Sequence, residues 1–172
     1  MNPTLPCTMR WIWIDKFIEF TPRTSATAVK NVTLAEEHLH DLYPAFPIMP
    51  HSLIVEGMAQ TAGILVGEAR NFSEKVILAK VGKATFHRLV RPGDTLHYHA
   101  KILQLSEAGA SIEGTVTLAS DPATPTVAEI EMMFSHIDKN MAGVQFPEHN
   151  FVFTEQFTEL LKTYRDGAVV TV

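Results

Sequence analysis

The sequence predicts an α+β fold in which antiparallel strands surround one apolar helix. Residues 53–66 form a run that is almost wholly apolar, long enough for a helix. Segments on both sides are rich in aromatic and β-branched residues, often alternate with polar ones, and are separated by turn residues. The length of 172 residues and the hydrophobic content of 46% suit one domain with a sizeable core.

The central helix follows a segment punctuated by Pro44, Pro47 and Pro50. Proline lacks a backbone N–H and disfavours helix in the preceding residue, so we expect residues 43–49 to be extended. Pro50 then stands where a helix can begin, and Gly67 and Asn71 mark its end. The run is too short to cross a bilayer, which needs roughly 20 apolar residues, so we expect a buried helix.

The strands are predicted in chain order from their composition and alternation. Before the helix, two strands joined by a turn at 21–23 pair with each other, and residues 35–39 form a short helical turn. After the helix, Gly82 is predicted at a bulge and Pro92-Gly93-Asp94 at a turn. The predicted strands are 11–20, 25–32, 76–86, 95–105, 110–119 and 127–137, with a further turn at 121–125.

The C-terminal part is predicted to be an extension. We expect one domain over residues 1–140, and residues 141–172 to be a loop plus a helix that packs on the same domain. Residues 141–150 form the linker, and Thr154 caps a helix that runs through Lys162. This helix has one apolar face, and it alternatively covers a pocket mouth or extends a dimer interface. The face consists of Phe157, Leu160, Leu161 and Tyr164.

Composition excludes several classes of function. The net charge of −5 and the pI near 5.9 argue against nucleic acid as a partner. The single cysteine, Cys7, allows no internal disulfide, which fits a cytoplasmic protein. We expect neither a signal peptide nor a membrane span.

Glu56 is the anomaly in the apolar helix. An ionised carboxylate in an apolar core costs several kcal/mol unless it is paired or opens onto a polar cleft. It is therefore either a satisfied structural carboxylate or a general acid or base at the end of an apolar pocket. Ser52 and Gln60 lie four residues on either side of Glu56 and share its helix face.

Two weaker patterns involve histidines and basic residues. His38/His40 and His97/His99 have the spacing that places both rings on one face of a strand, but no cysteine pair accompanies them. A solvated face is favoured, so we expect no metal and no cofactor. The stretch 75–91 is basic without any acidic residue, and is either a solvated face or a surface that attracts an acidic partner. Its charges are Lys75, Lys80, Lys83, Arg88 and Arg91.

The central stretch resembles one known family. The similarity begins at Lys30-Asn31-Val32-Thr33, continues through Pro47-Ile48-Met49-Pro50 and Glu56, and reaches Met58-Ala59-Gln60. It resumes at Phe86, Val90 and Pro92-Gly93-Asp94, and Trp13-Ile14-Asp15-Lys16 is similar to the family's first strand. The family is the 3-hydroxyacyl-[acyl-carrier-protein] dehydratases of fatty-acid synthesis, and the resemblance covers roughly residues 8 to 138.

The resemblance implies a hotdog fold, in which a curved antiparallel sheet wraps around a long central helix. It also implies a homodimer, with a trimer of dimers as a further assembly, and an apolar tunnel for the acyl chain along the dimer interface. The substrate implied is a 3-hydroxyacyl chain on the phosphopantetheine arm of acyl carrier protein. The family's acidic catalytic residue falls on Glu56.

The sequence departs from the family at two positions of the site. The family's catalytic histidine falls on Leu42, and a leucine cannot transfer a proton. The family's small glycine at the helix start falls on His51. His51 therefore either replaces the missing histidine from the helix N-terminus, where a neutral imidazole is favoured, or plugs the site. His38 and His40 are further candidates.

Three functions follow from these residues. The first is dehydration of a 3-hydroxyacyl thioester, with Glu56 as the acid and His51 as the base; Ser52, Gln60 and Pro50 would contact the substrate. The second is a non-catalytic acyl-binding protein, which Leu42 favours. The third is an acyl thioesterase in which Glu56 activates water.

Overall fold

The computed structural model describes residues 11–120, 126–137, 150, 152, 153 and 155–165. In these residues one six-stranded sheet surrounds the central helix, as predicted. The strand order is β1-β2-β4-β5-β6-β3, and every neighbouring pair is antiparallel. The strands are β1 (Lys16–Thr21), β2 (Ser25–Asn31), β3 (Val76–Phe86), β4 (Thr95–Leu105), β5 (Gly109–Leu118) and β6 (Ala128–His136). The helices are α1 (Glu37–Asp41), α2 (His51–Glu68) and α3 (Glu155–Arg165).

Strand β1 begins at Lys16, five residues later than the pattern of residues 11–20 predicts. The cause is that part of the backbone of residues 11–15 forms hydrogen bonds with a side chain instead of with a neighbouring strand. Trp13 N–H donates to the Gln60 amide, whereas Asp15 N–H still donates to the Val29 carbonyl. From Lys16 onward the predicted pairing of β1 with β2 is confirmed.

Helix α2 begins directly after Pro50, as predicted, and most of its length is buried. Proline is suited to this position because its missing N–H would have no partner in the helix. Beyond its last residue, Glu68, the chain reverses through Asn71 and Phe72, whose φ angles are 53° and 55°. The Phe72 N–H donates to the Gly67 carbonyl and closes this end.

The inner face of the sheet packs on α2. In β4, Leu96, Tyr98 and Ala100 are fully buried and alternate with more exposed residues, which confirms the predicted alternation. Strands β5 and β6 follow the same period. Alternate residues of three neighbouring strands thus form a continuous apolar surface against which α2 lies.

The loop at 91–94 holds the proline-rich segment against the sheet. It is the predicted turn, with Gly93 at a φ of 95° and Arg91 N–H donating to the Asp94 carboxylate at 2.8 Å. Just before it, the Val90 carbonyl accepts a hydrogen bond from Met49 N–H. This contact fixes the approach of the chain to the start of α2.

Strand β3 is an edge of the sheet and bonds to β6 on one side. The register shifts between Val81 and Lys83, so the bulge predicted at Gly82 is confirmed. Residues 78–84 are exposed, including the apolar side chains of Leu78 and Val81. A long exposed edge with apolar side chains is a surface on which another strand can pair.

Helix α3 packs on β1 of its own chain. Phe157 and Leu161 are buried, and Leu160 and Tyr164 pack partly buried against the same core, which confirms the predicted apolar face. The helix runs to Arg165, three residues beyond the predicted end. The predicted cap at Thr154, most of the linker at 141–150 and the turn at 121–125 lie outside the described residues.

No helix among the described residues is both long enough and apolar enough to cross a membrane.

Candidate functional site

Gln60 connects the central helix to the segment that precedes β1. Its side chain is only 7% exposed. Its Oε1 accepts a hydrogen bond from Trp13 N–H at 2.8 Å, and its Nε2 donates to the Trp11 carbonyl at 3.0 Å and to Glu56 Oε1 at 2.7 Å. Both amide hydrogens are therefore used, and one of them orients the Glu56 carboxylate. A buried N–H that loses its acceptor costs about 1–3 kcal/mol, so this arrangement is strongly specified.

A buried lysine holds the Trp13 segment in place. The Lys30 ammonium forms an ion pair with Glu36, lies 3.8 Å from Asp15 Oδ1 and lies 4.5 Å from the centroid of the Trp13 ring. The ring of His38 packs edge-on against the Trp13 ring, with the two centroids 5.2 Å apart. Burial lowers the pKa of His38, and the Lys30 charge lowers it further, against the opposing effect of Glu36.

Glu56 borders an open groove of about 270 Å³ on the surface of α2. One wall is the helix face and the other is the start of β3. Apart from Glu56 and Gln60, the lining is formed by apolar side chains and glycine. These are Ala59, Gly63, Ile64, Val76, Ile77, Leu78, Phe134, Val152, Phe153 and Phe157. A carboxylate at the border of an apolar groove suits a general acid or base, and that role of Glu56 stays a prediction.

Part of this groove comes from the C-terminal extension. Val152, Phe153 and Phe157 line it, although they lie far from Glu56 in sequence. The apolar face of the C-terminal helix predicted a cover for a pocket, whereas Val152 and Phe153 were not predicted as lining residues. Neither has a local signal, because a short apolar stretch after Asn150 is compatible with any loop.

The start of α2 carries the other predicted site residues. His51 and Ser52 are exposed, and the His51 ring stacks on Phe86 with a centroid distance of 4.0 Å. His51 does not line the groove of Glu56 in the same chain. Pro50 is the N-cap, and its carbonyl accepts hydrogen bonds from Leu53 and Ile54 N–H. Substrate contact by Ser52, Gln60 and Pro50 stays a prediction.

Leu42, onto which the resemblance places the family's histidine, follows α1 and is 55% exposed. Tyr43 and Phe46 are exposed beside it in sequence. His40 is also exposed, and His38 is half-buried against Trp13. This surface therefore presents apolar and aromatic side chains where the resemblance leads us to expect an imidazole.

The weaker sequence patterns occupy separate places. The Nδ1 of His99 lies 2.9 Å from the Thr27 hydroxyl, and the described residues contain no cluster of three or more His, Cys, Asp or Glu side chains suited to a metal. Lys75 of the basic stretch is buried. The other basic residues of the stretch are exposed on β3 and on the loop after it: Lys80, Lys83, Arg88 and Arg91.

Solved structures define the class of fold. The dehydratase heterocomplex ApeI:P from Xenorhabdus doucetiae matches with a TM-score of 0.58 and 15% identity, over 75% of this chain and 85% of that one. A Streptococcus mutans protein bound to acetyl CoA matches with a TM-score of 0.58 and 13% identity, over 77% and 95%. The six-stranded sheet wrapped around a long helix is thus the hotdog fold that the resemblance implies.

Sequence comparison gives the family. The model of the FabA-like domain matches residues 5–127. A 3-hydroxyacyl-[acyl-carrier-protein] dehydratase FabZ of Rickettsia conorii is 37% identical over 122 residues, which cover 70% of this chain and 84% of the relative. A FabZ of Roseobacter denitrificans is 38% identical over 121 residues, or 64% and 80%. The chain therefore belongs to the FabA-like family, among relatives of the FabZ dehydratase type.

Proposed function

We propose that this protein dehydrates 3-hydroxyacyl thioesters carried on acyl carrier protein and releases trans-2-enoyl thioesters. The observation that carries the proposal is the Glu56 carboxylate, oriented by the Gln60 amide at 2.7 Å and placed at the border of an apolar groove. An acyl tail fits such a groove, and the carboxylate is then beside the carbon that carries the hydroxyl. The FabZ relatives support this substrate class.

Glu56 is proposed as the acid. In the reaction a base removes a proton from C2 while the C2–C3 double bond forms, and the C3 hydroxyl leaves with a proton as water. Protonated Glu56 donates that proton. The Gln60 amide keeps the carboxyl directed at the groove, because its other hydrogen and its oxygen are fixed by the backbone of Trp11 and Trp13.

His51 of a second copy is proposed as the base. In its own chain the imidazole is exposed, stacks on Phe86 and does not line the groove of Glu56. Strand β3 has an exposed edge, and the groove next to it is open. Pairing of two β3 edges would form a homodimer in which the helix face of one copy meets residues of the other.

The first turn of α2 is proposed to hold the thioester carbonyl. The N–H groups of His51 and Ser52 have no acceptor within the helix, and the N-cap Pro50 makes no side-chain cap. Backbone N–H groups at a helix start stabilise negative charge that develops on a carbonyl oxygen. Ser52 and Pro50 would contact the substrate here.

Several further assignments are part of the proposal. The exposed charges of Lys80, Lys83, Arg88 and Arg91 suit an acidic carrier protein. Residues 1–140 and the extension 141–172 form one domain, supported by the packing of α3 on β1. A trimer of such dimers is a possible assembly, and the single cysteine favours the cytoplasm.

The test is turnover of 3-hydroxyoctanoyl-acyl carrier protein by the wild type, Glu56→Gln and His51→Gly. Glu56→Gln is expected to lower kcat by about a hundredfold or more, because proton transfer by a positioned side chain contributes about 10²–10⁴-fold. His51→Gly is expected to lose activity as well. Glu107→Gln, in an exposed turn that does not line the groove, is the matched control and should keep wild-type activity.

Other outcomes separate the alternatives. Full activity of His51→Gly would exclude His51 as the base and direct attention to His38 and His40. If His51→Gly is inactive, adding Leu42→His tests whether an imidazole at the family position restores turnover. Release of a free acid and thiol instead of enoyl thioester would indicate a thioesterase. Binding of the acylated carrier without any turnover would support a non-catalytic acyl-binding protein, which the exposed Leu42 favours.

A further inference from the structure

The far end of the Glu56 groove is formed by residues that lie beyond the family match. The FabA-like model ends at residue 127, whereas Val152, Phe153 and Phe157 line the groove. These side chains are apolar, and Phe157 is buried. The extension therefore contributes a wall that the matched family domain does not supply.

Phe153 is fixed in this wall from several sides. Its ring packs edge-on against Phe72, with centroids 5.0 Å apart. It also lies directly over Gly67 of α2, since a Cβ added there would be 2.3 Å from Phe153 Cζ. Only a glycine lets the ring approach the helix backbone this closely. The half-buried ring is thus held at the C-terminal end of α2.

Asn150 fixes the backbone that carries Phe153. Its Nδ2 donates to the Phe72 carbonyl at 3.0 Å and to the Glu74 carbonyl at 3.2 Å. Its Oδ1 accepts from Val152 N–H at 3.0 Å and from Phe153 N–H at 3.2 Å. One amide therefore joins the extension to the loop between α2 and β3.

The groove runs along α2 from the carboxylate towards this ring. Glu56 and Gly67 are eleven residues apart, which corresponds to about 16 Å along a helix axis. Between them Ala59 and Gly63 give the groove a floor with little side-chain bulk. An acyl tail whose reacting carbons lie at Glu56 extends along this floor and meets Phe153.

We propose that the C-terminal extension limits the acyl chain length that the site accepts, with Phe153 as the stop and Asn150 as the residue that positions it. The inference rests on the proposed function, since it assigns the groove to the acyl tail of the same substrate. The ligand class is a thioester whose tail beyond the reacting carbons is shorter than the distance from Glu56 to the Phe153 ring. Longer tails collide with the Phe153 ring or have to displace the extension.

The experiment compares kcat/KM for 3-hydroxyoctanoyl- and 3-hydroxyhexadecanoyl-acyl carrier protein. The wild type is expected to prefer the shorter chain by about tenfold or more, a ratio that a few methylene contacts can produce. Phe153→Ala is expected to reduce this preference by about tenfold, mainly by raising kcat/KM for the longer chain. Asn150→Ala should change the preference in the same direction, because the ring loses its fixed position.

Phe20→Ala is the matched control. Phe20 packs on Phe17 and Tyr164 of α3 but does not line the groove, so its loss loosens the same helix on the other side. It should leave the chain-length ratio unchanged. If Phe153→Ala does not fold, Phe153→Leu replaces the ring with a smaller apolar side chain at little risk to the core. A smaller shift of the chain-length ratio is then expected.

The outcomes distinguish this inference from the proposed function. An unchanged ratio in folded Phe153→Ala or Phe153→Leu would overturn the chain-length role even if dehydration is confirmed. If no substrate is dehydrated, the affinities of octanoyl- and hexadecanoyl-pantetheine for the wild type and Phe153→Ala provide the same comparison. A preference for the octanoyl compound that Phe153→Ala removes supports the stop without requiring turnover, and equal preferences in both proteins would overturn it.

Discussion

The two halves of helix α2 each place a glycine beneath an aromatic ring. Near the start, a Cβ added at Gly57 would lie 2.4 Å from Tyr98 Cζ, and near the end a Cβ at Gly67 would lie 2.3 Å from Phe153 Cζ. The rings differ in origin. Tyr98 is fully buried in strand β4, within the family match, whereas Phe153 is half-buried in the extension.

With the roles proposed above, the difference separates a reacting end of the helix, near Glu56, from a closing end, near Phe153. The half with Gly57 also carries Glu56 and Gln60, and its position is fixed by the sheet and by the backbone of Trp11 and Trp13. The half with Gly67 contacts a segment outside the family match. We therefore expect the reacting end to tolerate little change, while the closing end can change its shape without disturbing Glu56.

Gly57→Ala is expected to have the larger effect on stability. The new methyl group overlaps the fully buried ring of Tyr98, and overpacking of this kind costs about 1–3 kcal/mol even after the backbone shifts. Urea unfolding should therefore show a loss of about 3 kcal/mol. Gly63→Ala is the matched control, because its Cβ would lie 3.5 Å from Phe134 Cε1, an ordinary contact.

Equal midpoints for Gly57→Ala and Gly63→Ala would contradict this account of the reacting end. The control should be neutral or slightly more stable than the wild type, since alanine is favoured over glycine within a helix by up to about 1 kcal/mol.

Gly67→Ala is expected to cost less, about 1 kcal/mol, because the Phe153 ring above it is only half-buried, whereas the Tyr98 ring above Gly57 is fully buried. The change in unfolding free energy caused by Gly67→Ala should reverse its sign when the Phe153 ring is absent. In a Phe153→Ala background, Gly67→Ala should be neutral or stabilising by up to about 1 kcal/mol, the helix propensity difference. A double-mutant cycle of unfolding free energies measures this coupling, and additive effects would show that Phe153 does not press on Gly67.

The smallest expected effect concerns pH and the cluster that supports the reacting end. Burial lowers the pKa of His38 below its ordinary value of 6.5. As the pH falls through 6.5, the unfolded chain therefore binds a proton before the folded one does, and stability decreases. His38→Gln should make the unfolding free energy fall less steeply between pH 7 and pH 5. Parallel plots of unfolding free energy against pH for the wild type and His38→Gln would exclude this contribution of His38.

Much of the fold follows from local patterns in the sequence. Period-two alternation identified β4, the prolines identified the start of α2, and Gly82 was identified as a bulge because a glycine weakens a regular strand. The long apolar helix and the carboxylate within its apolar run, Glu56, also follow from the sequence. These features are determined by residues close together in the sequence, through the periodicity of their side chains and their backbone preferences.

The tertiary structure decided how distant segments share hydrogen bonds and surface. The Gln60 amide forms hydrogen bonds with the backbone of Trp11 and Trp13, which the pattern of residues 11–20 predicts to be part of a strand. These bonds fix the amide, which donates a further hydrogen bond to Glu56. Phe153 lines the groove because Asn150 bonds to a loop far earlier in the chain. A buried amide has several possible partners of equal chemistry, and which of them it meets depends on packing between segments that are remote in sequence.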